Sequence, residues 1–125
     1  MDLTDTPTPV VTIGLNRNSN SFDYSITELN NLVEANKMTV AETLVQKLDR
    51  PDPATYFGKG KIEELKQVVI DDGVDTIVVN DELSPSQIRN IEKATNARII
   101  DRTGLILEIF ANRAQSREAK LQVEL

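Results

Sequence analysis

Four consecutive residues carry the clearest chemical pattern in the chain. Gly58, Lys59, Gly60 and Lys61 precede an apolar helical repeat. Glycine lets a backbone approach a ligand closely, and the free amides of a helix N-terminus attract anions. With two lysine ammonium groups added, the pattern predicts a site for a phosphate or for RNA. The alternative is a surface turn whose lysines are only solvated.

This segment does not match the common phosphate-binding motifs. A Walker A loop needs a glycine where Thr55 stands and a Ser or Thr where Ile62 stands. The third glycine of a dinucleotide fingerprint is replaced by Glu63. Any anion site here therefore lacks a complete phosphate loop.

A second candidate site is acidic. Asn80, Asp81 and Glu82 follow the apolar run that ends at Val79. Open α/β sheets bind ligands where their strands end, and two carboxylates could hold a magnesium ion. A solvated loop before a helix is the favoured alternative, because no other ligand of an octahedral site is visible.

The third candidate is the basic character of the last third of the chain. Residues 1–82 hold 15 acidic and 7 basic side chains, a net charge of −8, whereas residues 83–125 hold 5 and 7, a net charge of +2. Arg102, Arg113 and Arg117 could contact phosphates locally. They could equally pair with acids of another domain. Asp101 or Thr103 caps a helix at this point.

Composition excludes several classes of function. The 125 residues include no cysteine and no histidine, so disulfides, thiolate nucleophiles, zinc fingers and histidine-based acid–base catalysis are all excluded. No apolar run approaches the length of a membrane span, and the acidic N-terminus is unlike a signal peptide. We therefore expect a cytoplasmic protein with no membrane span. Its net charge of −6 argues against tight binding of nucleic acid by the chain as a whole.

Strand and helix patterns alternate along the chain. Residues 38–48 fit a helical stripe but favour a strand by propensity, and the surrounding rhythm decides for a strand. The predicted strands are Val10–Leu15, Met38–Leu48, Asp75–Val79 and Arg98–Ile100. The predicted helices are Ser21–Asn36, Ile62–Asp72, one that starts after Ser84, one that starts at residues 101–104, and Gln115–Leu125. Gly73 is expected to end the second helix. Ser84 is expected to be the N-cap of the third, with Gln87 closing a capping box.

This alternation predicts an α/β fold with a small, mostly parallel sheet of about four strands, flanked by helices and followed by a C-terminal helical extension. The predicted organisation is a disordered or extended N-terminus over residues 1–9, an α/β domain over residues 10–112 and the start of a helical linker over residues 113–125. The final helical pattern stops without Gly, Pro or any cap, which we interpret as a truncated linker.

Several separated blocks resemble HflX-type GTPases in order. The match begins with Asp52-Pro53-Ala54-Thr55-Tyr56-Phe57-Gly58-Lys59-Gly60-Lys61 and includes Val78 to Pro85. It continues through Asp101-Arg102-Thr103, Leu105 to Ala111, Arg113-Ala114 and Glu118 to Leu125. The resemblance covers roughly residues 10–125 and does not extend to the first nine residues.

The resemblance implies an N-terminal domain of a bacterial ribosome-associated GTPase that splits or rescues stalled ribosomes. Such a parent docks on the large ribosomal subunit, contacting rRNA, and binds GTP and magnesium in a G domain joined by a helical linker. None of the guanine-nucleotide motifs of that G domain occurs in these 125 residues. We therefore expect no catalysis and no cofactor in this chain.

Three functions remain open at this point. The chain could be a ribosome-binding module that contacts rRNA through Gly58–Lys61, Arg102, Arg113 and Arg117. It could instead bind the phosphates of ATP or GTP at Gly58–Lys61, with Asp81 or Glu82 holding magnesium. It could also restrain its own G domain through the apolar stretch Leu105–Ala111. A dimer through an exposed terminal helix is a further possibility.

Overall fold

The computed structural model describes the backbone of residues 7–124 and the side chains of residues 7–114. Strands and helices alternate strictly through this range. The strands are β1 (Thr8–Asn16), β2 (Met38–Lys47), β3 (Thr76–Val79) and β4 (Arg98–Asp101). The helices are α1 (Phe22–Ala35), α2 (Lys59–Asp72), α3 (Pro85–Thr95) and α4 (Arg102–Glu124). The predicted α/β class is confirmed.

The four strands form one parallel sheet in the order β2-β1-β3-β4. In the register of this sheet Ile13 lies beside Leu44 on one side and beside Val79 on the other. The central strands are buried on both faces, since residues 10–15 of β1 and all of β3 are buried. Such β-branched runs are what a parallel sheet covered by helices requires.

Alternate side chains of the strands feed two separate cores. On one face the sheet packs against α2 and α3, and this core includes Ile13, Leu65, Ile77 and Ile91. On the other face it packs against α1 and α4, and that core includes Val10, Leu29, Val33, Val78 and Leu105. The domain therefore has three layers, with the carboxyl ends of all strands at one edge.

Three predicted helix boundaries are confirmed by their local hydrogen bonds. The Ser84 hydroxyl accepts from the backbone N–H of Gln87 at 3.1 Å, and the Gln87 side chain accepts from the Ser84 N–H at 2.9 Å. Gly73 ends α2 in the left-handed conformation, with a φ of 64°. Asp101 caps α4 by accepting from the Gly104 N–H at 2.9 Å.

Two predicted boundaries are wrong. Helix α2 begins at Lys59 and not at Ile62, because Gly58 is already extended and acts as the N-cap. The two predicted C-terminal helices form the single helix α4, since neither Gly nor Pro interrupts residues 105–124. The linker predicted to start at residue 113 stays a prediction, and helix α4 spans that position.

The N-terminal prediction lies mostly outside the described residues. Strand β1 begins at Thr8, within the segment predicted to be disordered or extended, and residues 1–6 are not described. The described part of the chain contains no helix long and apolar enough to cross a membrane.

Gly60 in the first turn of α2 and Gly73 just after its last residue provide a matched pair for measuring backbone strain. Gly73→Ala should lower the free energy of unfolding by about 1–2 kcal/mol, because its left-handed φ is unfavourable for a Cβ. Gly60→Ala should raise it by up to about 1 kcal/mol, since Gly60 has no positive φ and a Cβ there meets nothing. Urea denaturation measures both changes, and equal effects of the two variants would contradict this assignment.

Candidate functional site

The loop between β2 and α2 folds back on itself. The carboxylate of Asp52 accepts from the backbone N–H of Ala54 at 2.7 Å and from that of Thr55 at 3.1 Å. Asp52 and Tyr56 also exchange two backbone hydrogen bonds of 3.0 and 2.9 Å. The hydrogen bond from the Ala54 N–H, followed by that from Thr55, lowers the pKa of Asp52. The loop therefore has one defined conformation.

Helix α3 holds this loop from one side. The Gln87 side chain, which already closes the capping box, donates to the carbonyl of Asp52 at 2.9 Å. One turn later the Asn90 side chain donates to the carbonyl of Ala54 at 2.9 Å. The N-terminal half of α3 thus fixes the segment that leads into α2.

Two aromatic side chains anchor the end of the loop. Tyr56 is 1% exposed, and its ring stacks on Phe57 with centroids 5.5 Å apart. The Tyr56 hydroxyl donates to the Asp81 carboxylate at 2.5 Å, and Asp81 faces Arg17 at 3.4 Å. Burial, followed by the hydrogen bond to Asp81, raises the pKa of Tyr56 well above its usual range. Asp81 is thereby engaged as a structural acceptor.

The predicted anion-binding segment lies at the N-terminus of α2. The Gly58 N–H donates to the Gln46 side chain at 2.9 Å, and a Cβ on Gly58 would meet that side chain at 3.2 Å. The N-cap residue Gly58 has no side chain to accept from the first-turn amides, and amides at a helix N-terminus that lack such an acceptor bind water or a ligand. Lys59 is exposed, whereas Lys61 is partly buried and pairs with Glu64 at 3.0 Å.

The charges of α2 are opposite to those that its macrodipole favours. Lys59 and Lys61 lie in the first turn, where the dipole is positive, and Asp71 and Asp72 lie in the last turn, where it is negative. Each such charge costs about 0.3–1 kcal/mol relative to the favourable arrangement. Helix α2 therefore has one strongly positive pole and one strongly negative pole, at some cost in stability.

The structure does not bring Arg102 to the Gly58–Lys61 segment. Its guanidinium donates to the Asn80 side chain at 2.7 Å, to the Ser25 carbonyl at 3.3 Å and to the carboxylate of Glu28. Arg102 thus ties α4 to α1 and to the end of β3. Arg113 is exposed on α4, and the side chain of Arg117 lies outside the described residues.

A polar cavity that the sequence did not reveal lies where β1 and β3 end. Its volume is about 140 Å³, and its lining includes Arg17, Ser19, Ser21, Ser25, Asn80 and Asp81. Helices leave β1 and β3 toward opposite faces, which makes this the topological switch point of the sheet. The strand order would have identified it, but nothing in the sequence fixes that order.

The groups that line this cavity are largely engaged with one another. The Asn80 side chain donates to the Ser25 hydroxyl at 3.0 Å while accepting from Arg102. Within the described residues no group of three or more acidic side chains could hold a metal ion. Of the two carboxylates considered for a magnesium site, Asp81 is engaged by Tyr56 and Arg17, and the site stays a prediction.

The Tyr56 hydroxyl provides a test of how firmly the loop is anchored. Tyr56→Phe should lower the free energy of unfolding by about 1–2 kcal/mol, because it removes a hydrogen bond to a carboxylate. The matched variant Tyr24→Phe should change it by less than about 0.5 kcal/mol, since Tyr24 is 75% exposed. Equal losses, measured by urea denaturation, would contradict the anchoring role.

The same interaction predicts a pH dependence. The folded state raises the pKa of Tyr56, whereas an unfolded tyrosine titrates near pH 10. The Tyr56 contribution is therefore complete below about pH 10 and is lost as the pH rises further. In Tyr24→Phe, absorbance at 295 nm should detect phenolate only together with unfolding. Phenolate in a folded Tyr24→Phe sample would contradict the buried hydrogen bond.

The charge arrangement of α2 predicts that an acidic residue can be replaced with a gain in stability. Asp72→Lys should raise the free energy of unfolding by about 1 kcal/mol, because lysine complements the negative pole. Asp23→Lys, in the first turn of α1, should lower it by a similar amount. Both effects should shrink at 1 M salt, and a loss of stability in Asp72→Lys would contradict the assignment.

The chain is similar to known proteins in both sequence and fold. The family described as "GTP-binding GTPase N-terminal" matches residues 23–111. A GTPase HflX of Alkalihalophilus pseudofirmus is 45% identical over 118 residues, which are 93% of this chain and 28% of that protein. A GTPase HflX of Escherichia coli is 40% identical over 98 residues, 78% of this chain and 23% of that protein.

A solved structure has the same fold. The protein SsGBP, crystallised as a complex with GDP, matches with a TM-score of 0.66 and 25% identity over 94% of this chain and 33% of that chain. The chain thus spans about a quarter to a third of the length of the proteins it matches. Because the family covers more than half of its residues, the chain belongs to the GTP-binding GTPase N-terminal family, as an HflX-type N-terminal domain.

Proposed function

We propose that this chain is a non-catalytic module that docks a larger HflX-type GTPase on the large ribosomal subunit, for ribosome splitting or rescue. The parent would bind GTP and magnesium in its G domain, in the cytoplasm. The observation that carries the proposal is the positive pole of α2, where a helix N-terminus without a side-chain cap carries the exposed Lys59. RNA phosphates are the ligands that such a pole attracts.

The rigidity of the preceding loop supports docking through this pole. Asp52, Tyr56 and Gln87 hold the loop by hydrogen bonds within the chain itself. A preformed site loses little conformational entropy when it binds. The unfavourable charges of α2 also fit a site where stability has been exchanged for function.

Among the predicted contact residues, Lys59 has the strongest case. Lys61 is held by Glu64, and Arg102 by its partners on α1 and β3, so both have less freedom to reach a phosphate. Arg113 is exposed and could add a contact from α4. We further propose that α4 continues beyond residue 112 as the linker toward the G domain.

A second candidate function is restraint of the G domain by α4. Leu107 is 63% exposed and Phe110 is 62% exposed, on a helix whose Leu105 and Ile109 are buried against the sheet. Such an apolar stripe fits a contact with another part of the same protein. This role predicts that the isolated chain does not bind ribosomes.

Co-sedimentation with purified large ribosomal subunits tests the docking function. The chain should pellet at low salt and lose affinity at physiological salt, because phosphate contacts release counterions. Lys59→Glu should weaken binding at least tenfold, although it improves the match to the helix dipole and should leave α2 folded. It should also lower the slope of log affinity against log salt by roughly 0.7–0.9, the value of one phosphate contact.

Lys66→Glu is the matched control, because Lys66 is an exposed lysine farther along the same helix. It should retain most of the binding. If Lys66→Glu weakens binding as much as Lys59→Glu, the contact is not centred on the pole of α2. Absence of binding at both salt concentrations would favour the restraining role.

A further inference from the structure

The outer edge of β2 is open. In the order β2-β1-β3-β4, β2 is an edge strand, and among residues 7–124 no strand other than β1 pairs with it. With ten residues it is the longest strand described, while the opposite edge strand β4 has four. A long edge strand offers unpaired backbone N–H and C=O groups to another extended chain.

The edge of β2 has little of the usual protection against strand addition. Proteins commonly protect edges with proline, with lysine or with a bulge. Strand β2 has no proline, and its single lysine is its last residue, Lys47. A bulge occurs opposite Val10 and Val11, and Glu42 follows it as the only charge inside the strand. The edge can therefore pair with another strand, and the charge of Glu42 favours a strand with basic side chains.

Glu42 lies within a group of carboxylates. Glu42 lies two residues before Leu44, which is buried in the core under α2, so both side chains are on the α2 face of the sheet. Desolvation, followed by the neighbouring carboxylates of Asp72, Glu64 and Asp71, raises the pKa of Glu42. Only Glu64 has a basic partner among the described residues, Lys61. Because Asp71 and Asp72 in the last turn of α2 act on Glu42, the negative pole of α2 lies near the middle of the open edge.

These acids extend over a length that two or three alternate side chains of an added strand would span. Glu64 and Asp71 are seven residues apart on α2, about 10 Å along its axis. Side chains on one face of a strand repeat every ~6.8 Å. Two or three basic side chains at alternate positions of an added strand would face the acidic group.

We propose that the open edge of β2 accepts an extended basic segment of a protein partner as a fifth strand, with its lysines or arginines facing Glu42, Asp71 and Asp72. This surface is separate from the positive pole of α2 and goes beyond the proposed function. RNA would be repelled there. A second copy paired through β2 would bring two groups of acids together, which disfavours a dimer at this edge.

A synthetic peptide tests the proposal directly. A fluorescent 11-residue peptide that alternates lysine with valine should bind the chain, with fluorescence anisotropy as the readout. The same peptide with N-methyl groups on alternate backbone amides keeps its charge but cannot donate those hydrogen bonds. Two such peptides are made, one methylated at the odd-numbered amides and one at the even-numbered amides. The form whose methyl groups replace the N–H groups that pair with β2 should bind at least tenfold more weakly than the unmethylated peptide. Equal binding of all three peptides would overturn strand addition.

Charge variants locate the site. Glu42→Lys and Asp72→Lys should each weaken peptide binding at least fivefold, and circular dichroism should show that both remain folded. Glu42→Gln is the milder variant if Glu42→Lys unfolds. Glu34→Lys, an exposed change on α1 at the opposite face of the sheet, should leave binding unchanged. If Glu34→Lys weakens binding as much as the other two, the peptide responds only to net charge and the site is wrong.

Sedimentation velocity tests whether a second copy of this chain, rather than a basic segment, occupies the edge of β2. If the chain binds no basic peptide but forms a dimer that Glu42→Lys strengthens, the edge joins two copies and the proposal is overturned. If the chain is monomeric and the peptide binds with the stated pattern, the basic segment is supported. Ribosome docking through Lys59 is measured independently, because Lys59→Glu should leave peptide binding intact.

Discussion

The need to bury both faces of β1 and β3 determines the rest of the architecture. These strands carry β-branched side chains on both sides, so a helical layer must cover each face. Helices α2 and α3 cover one face, and α1 and α4 cover the other. Since all four strands are parallel, every strand-to-helix connection emerges at the same edge. The chemically distinctive loops are therefore gathered there by the hydrophobic effect and not by attraction among themselves.

At that edge, hydrogen bonds hold the neighbouring loops in fixed positions. The Tyr56 hydroxyl on Asp81 and the Gln87 amide on Asp52 link the loop before α2 to the end of β3 and to α3. Their partners are partly or fully buried, where a lost hydrogen bond is costly. The N-terminus of α2 is consequently presented in one orientation. A helix whose charges oppose its dipole at both ends can persist because this packing, and not its own electrostatics, keeps it folded.

The two poles of α2 give the domain two surfaces of opposite charge. The positive pole with Lys59 suits phosphates, and the negative pole beside Glu42 suits basic groups. Both belong to one element of about 20 Å, so two ligands could bind at the same time without sharing a residue. The net charge of −6 conceals this separation, since a sum over the whole chain does not show where the basic groups lie.

The sequence by itself determined the α/β class, the four strands, the capping box at Ser84, the stop at Gly73 and the place of Gly58–Lys61 at a helix N-terminus. These follow from local rules of periodicity, capping and φ preference, which need no distant partner. Only the tertiary structure decided that Arg102 ties α4 to α1, that Tyr56 reaches Asp81, and that β2 is an edge beside Asp72. Those facts depend on strand order and on contacts between residues 22 to 77 positions apart, which the hydrophobic pattern along one chain does not specify.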